Sequence, residues 1–137
     1  MGYRVLEHPA DLWIEVTGKN IQELFAGAGE ALFDLLLEAG RIELRESKSF
    51  SLSAGSVEEL LRDWLSELNY LNQVEGWLFG SFDIRELSGS RLAADARGEK
   101  FDPERHRISR EIKAVTYHDL MVDCSDSGCV ARVLFDL

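Results

Sequence analysis

Two stretches of the chain repeat apolar residues every three or four positions. Much of the remainder alternates between apolar and polar. The first helical stretch is predicted from about Asn20 to Glu38, with Ile21, Leu24, Phe25, Ala28, Leu32, Leu35 and Leu36 on one stripe. Asn20 followed three residues later by Glu23 supplies a capping pattern at its start. The second opens with Ser56 and Glu59, a capping box, and carries Val57, Leu60, Leu61, Trp64, Leu65, Leu68 and Leu71. Each stripe is broad enough to bury one face of its helix. Strands are predicted at "YRVLEH", "DLWIEVT", "RIELRE", "SFSLSA", "WLFGSFDI", "RLAADA", "ISREIKAVTYH", "LMVDC" and "CVARVLFDL". In the second of these, Leu12, Ile14 and Val16 share one face, and Trp13 and Glu15 the other. "SDSG" is a turn signal, so the last two strands form a hairpin.

Strands, a helix, strands, a second helix and then a run of strands spell an α+β protein. A largely antiparallel sheet has the two helices packed on it. The 137 residues suit a single domain, 1–137, and no linker, repeat or low-complexity segment divides it. With 45% apolar residues and only 2 prolines, the chain has the composition of a folded globule.

The formal net charge of −10 argues against direct nucleic-acid binding, since a phosphate backbone rewards lysine and arginine. It suits solubility, cation binding or a basic partner. No apolar run reaches the roughly 20 residues of a membrane helix. "MGYRVLEHPAD" has no signal-peptide pattern, so the expected location is cytoplasmic, without a membrane.

Few motifs carry chemistry. Gly27 and Gly29 imitate part of a dinucleotide fingerprint, but they fall inside a helix, where close packing is the better reading. Cys124 and Cys129 could pair across the hairpin or hold a metal. Two thiols without a nearby histidine do not complete a zinc site, and the expectation is two small buried or half-buried side chains. The histidines, His8, His106 and His118, have no spacing that requires them to converge.

The carboxylates say more. Asp11 opens a strand just after "HPA", Asp136 nearly closes the last strand, and Leu137 offers a main-chain carboxylate where the sequence ends. If these strand ends meet, three oxygen donors converge, a set that suits a hard divalent cation. The alternative is a turn aspartate and an edge charge with no such role.

The segments "EHPADLWIEV", "WLSELNYL", "GEKFDPERH", "KAVTYHDL" and the terminal "VLFDL" together resemble the archease family, over essentially the whole chain. Leu12-Trp13 is bulkier than the small or aliphatic pair expected there, and the Cys124 and Cys129 pair carries no weight in the resemblance. The resemblance implies a non-enzymatic activator of an RtcB-type RNA ligase. Such an activator promotes guanylylation of the ligase's histidine and its multiple turnover in tRNA splicing. It also implies a divalent metal (calcium, magnesium or manganese, with calcium favoured) on Asp11, Asp136 and Leu137, and a role in activation for Lys113. His8, Glu67, Glu99, His106 and His118 are candidates for an outer shell or a docking surface. Two other classes compete. One is a small metal-dependent phosphoester hydrolase using Asp11, His8 and His118. The other is an adaptor in which the carboxylates are idle.

Overall fold

Both helices begin where their caps are written. In the computed structural model, which describes residues 2–8 and 11–137 (backbone only at 6–8), the Asn20 side chain accepts from the Glu23 amide. Ser56 accepts likewise from the Glu59 amide. Each side chain satisfies a donor that the first turn leaves open. Helix α1 spans Ile21–Leu36 and α2 spans Val57–Glu75. Gly76 closes α2 in the left-handed region, at φ 77°, which glycine adopts without a side-chain clash.

The strands, in chain order, are β1 (Gly2–His8), β2 (Asp11–Gly18), β3 (Leu37–Ala39), β4 (Glu46–Ser53), β5 (Trp77–Leu87) and β6 (Arg91–Lys100). They continue with β7 (Arg107–Ile108), β8 (Ala114–Val115), β9 (Met121–Ser125) and β10 (Gly128–Asp136). Every strand pair is antiparallel. The larger sheet runs β1-β2-β10-β8, with β9 also on β10. Because β2 takes one edge of β10, β9 and β8 follow one another along the other edge. A second sheet runs β4-β6-β5, and β3 pairs with β7. The α+β reading holds.

Helix α1 lies deeper than a one-faced stripe implies. Ten of its residues are buried, among them Gly27, Ala28, Gly29 and Ala31. Small residues let both sheets approach. A Cβ at Gly29 would stand 2.9 Å from the Phe82 ring of β5, so close packing is what this glycine serves. The core closes around Phe33, Phe50, Trp64, Phe79 and Phe82, whose rings meet largely edge to face. Leu12, Ile14 and Val16 point into it, as their alternation requires.

Three expectations need correction. Residues 41–45 are not a strand: their backbone polar groups are taken up by side chains and a β6 carbonyl, as described below. The stretch 108–118 is not one strand but two short pieces, β7 and β8, joined by backbone outside any strand. Finally, Cys124 and Cys129 stand opposite each other in the β9–β10 ladder and form a disulfide, with Cα atoms 4.1 Å apart. Cys129 is buried and Cys124 is exposed.

Candidate metal centre

β2 and β10 are neighbours over eight register pairs, and the last of these sets Asp136 opposite Asp11. Directly opposed residues in an antiparallel pair share a face, with Cβ atoms about 4.5–5.5 Å apart. The alternation that buries Leu12 and Phe135 therefore turns both carboxylates to the outer face. Asp136 is exposed and Asp11 half-buried. Leu137, 37% exposed, follows at once. On the far side of β10, Asp136 pairs with Ala114, and the Lys113 amide donates to the Asp136 carbonyl at 2.8 Å. Asp11, Asp136, Leu137 and Lys113 thus meet at one end of the larger sheet.

His118 approaches the same face. Its ring centroid is 6.2 Å from that of Trp13, two residues along β2 from Asp11. Its Nε2 lies 3.4 Å from Asp119, which adopts a positive φ of 49°. The backbone of His8 pairs with Asp11; its side chain, with Pro9 and Ala10 of "HPAD", lies outside the described residues. Glu67 is half-buried on α2. Among the described residues, no three His, Cys, Asp or Glu side chains are grouped to hold a metal. The cluster offers two facing carboxylates and main-chain oxygen, a donor set fit for a hard cation that keeps water or a partner's groups in its shell.

Glu99 and His106 belong elsewhere. Glu99, 3% exposed near the end of β6, accepts from the Glu43 amide at 2.7 Å and pairs with the Arg105 guanidinium. The His106 Nδ1 accepts from the Asp102 amide at 2.9 Å. That leaves the proton on Nε2, which sits 3.1 Å from both Glu99 and the Arg41 carbonyl. The Arg105 hydrogen bonds, with the Glu43 amide and His106 adding to them, hold the Glu99 carboxyl down at about 2. This cluster pins residues 41–45, and the Arg45 amide completes the attachment by donating to the Gly98 carbonyl at 3.0 Å. It is a clasp within "GEKFDPERH", not an outer shell of the Asp11–Asp136 cluster. Sequence reading missed Glu15, which bridges Arg4 of β1 and Arg132 of β10 at 3.0 Å each on the outer face. Those guanidiniums lower its pKa.

An α+β protein with opposed aspartates where its second and last strands meet is the class that fold and site define. The archease protein family model matches residues 3–137. The archease of Methanopyrus kandleri is 36% identical over 140 residues, covering 100% of both chains. That of Pyrococcus furiosus is 38% identical over 135 residues, covering 96% of this chain and 95% of its own. The solution structure of protein 1598 of Methanobacterium thermoautotrophicum superposes with a TM-score of 0.83 at 28% identity, covering 99% of each chain. A crystal structure from Thermotoga maritima, described as an archease and possible chaperone, gives 0.60 at 26% identity over 96% of this chain and 94% of that one. The chain belongs to the archease family. No helix among the described residues is long and apolar enough to cross a membrane.

Proposed function

We propose that this protein is a metal-binding activator of an RtcB-type RNA ligase, with Asp11, Asp136 and Leu137 as the protein's ligands and Lys113 facing the partner. The observation that supports this most is the register pair Asp11–Asp136. Like charges directly opposite in a ladder destabilise it. A cation between them removes that repulsion and supplies positive charge where a nucleoside triphosphate is attacked. Calcium, magnesium or manganese satisfies this oxygen set, calcium most readily because it tolerates irregular geometry. The exposed Lys113, tied by its amide to Asp136, adds a mobile cation suited to a phosphate or a ligase carboxylate. His118, beside Trp13 on the same face, is a docking group. In this reading the chain performs no turnover of its own.

The experiment is guanylylation of a cognate ligase with and without the protein. Wild type should accelerate it, and Asp11→Ala should not, while keeping its circular dichroism and melting curve. A folded Asp11→Ala protein that stimulates normally would sink the reading. Incubating the protein alone with metal and phosphoesters tests the hydrolase class, and no product is expected.

A further inference from the structure

Arg62, Ser66, Asn69 and Gln73 are spaced four, three and four residues apart, so they form one polar stripe along α2. Arg62 Nε donates to the Val115 carbonyl at 3.1 Å, and its guanidinium lies 4.7 Å from the centroid of the Tyr117 ring. Asn69 Nδ2 and Gln73 Nε2 both donate to the Ile112 carbonyl, at 2.8 and 2.5 Å. Three side chains of one helix therefore grip the backbone one residue before and two residues after Lys113. From this geometry we infer that the stripe is the positioning element for Lys113, required for ligase activation without touching metal or partner. This inference rests on the role proposed above for Lys113.

Residues 109–113 have no strand partner, and a cleft of about 460 Å³ borders Arg110, Glu111 and Ile112. Backbone in that position needs its carbonyls satisfied by something other than a sheet. Ile112, fully buried, anchors the segment from below. Asn69 is itself buried at 5% exposure, and its Oδ1 and the Ser66 hydroxyl have no hydrogen-bond partner among the described residues. A leucine would bury at position 69 without that desolvation penalty. What the amide provides in exchange is the hold on Ile112. The segment then delivers Lys113 with its amide on the Asp136 carbonyl and its side chain in solvent.

The test uses the full chain carrying Asn69→Leu with Gln73→Leu, and Gln73→Leu alone, which is exposed and tolerates change if the double variant does not fold. Backbone amide exchange by NMR reads the segment directly. The Lys113 amide should exchange about tenfold faster or more once those hydrogen bonds are gone. Amides in β2 should keep their protection. Calcium titration should give an affinity close to wild type. Ligase guanylylation should fall toward the level of Lys113→Ala. Unchanged Lys113 protection overturns the inference, and so does lost protection with full activation while Asp11→Ala is inactive. Full activation by Asp11→Ala itself overturns the metal-site reading instead, so the two failures are told apart.

Discussion

Glu99 and the Asp11–Asp136 pair both stand at strand ends, yet they meet charge in opposite ways. Glu99 is buried and receives Arg105, His106 and a backbone amide from its own chain. Asp11 has another carboxylate as its ladder neighbour on β10, at an exposed end of the sheet. A carboxylate whose cations are built in serves the fold. Two carboxylates opposed across a ladder near solvent are what the proposed cation site rests on. Sequence proximity to a histidine does not separate these cases; what crosses the ladder does.

Exchanging the two kinds of loss would break that contrast. The largest effect is expected on cation affinity. Asp11→Ala should weaken calcium binding, measured by calorimetry, by more than the ~10–100-fold that outer-shell changes cause. Its melting temperature without metal should hold or rise, because removing one of two opposed like charges relieves about 0.2–1 kcal/mol. Glu99→Ala should do the reverse. It strands the Glu43 amide, at about 1–3 kcal/mol for a buried donor, and leaves His106 Nε2 with the Arg41 carbonyl alone, while calcium affinity stays near wild type. Glu99→Ala losing cation affinity as severely as Asp11→Ala would merge the two sites into one.

Acid sharpens the same comparison. The Glu99 carboxyl is held at about 2, below its ordinary 4.5, so the unfolded chain binds its proton more readily. Its contribution to stability is therefore complete above about pH 4.5 and declines as pH falls toward 2. Urea unfolding across that window should show a shallower acid slope for Glu99→Gln than for wild type. Equal slopes would mean that the clasp does not depend on the charge of Glu99.

The smallest of these effects concerns the Cys124–Cys129 bridge, whose partners are 5 positions apart. A loop that short restricts the unfolded chain only modestly, and reduction should lower stability by about 2 kcal/mol. Cys129 lies near the start of β10 and Asp136 at its end, so calcium affinity should not change on adding dithiothreitol. A parallel loss of affinity would tie the bridge to the carboxylates.

The helices were legible because their signals are local: Asn20 with Glu23, and Ser56 with Glu59, cap within one turn. So was the inward face of β2, which follows from alternation. The breaks in 41–45 and 108–118 were not legible. Both stretches have strand-like residues, but their carbonyls and amides are claimed by Glu99, His106, Asn69 and Gln73, side chains distant in sequence. The cysteine pairing turned on a register that "SDSG" permits but does not dictate. Asp11 and Asp136 stood out as chemistry, and Lys113 through the family resemblance. That they would meet depended on β2 and β10 being neighbours, which no local pattern encodes. Glu99 and His106 looked like site residues because buried polar groups and functional ones draw on the same residue types.

The pairing of position 11 with position 136 also has a consequence in time. Contacts so far apart in the chain form late, after the entropy of closing nearly its whole length has been overcome. A ribosome-bound chain lacking its last strand has Asp11 but not the Asp136 that pairs with it across β10. Cation binding would therefore begin only when the sheet is complete. A ligand that binds the finished fold alone deepens its stability, by about 2.7 kcal/mol when present at a hundred times its dissociation constant. On the proposed reading, the protein would gain its cation site and that reserve in the same event.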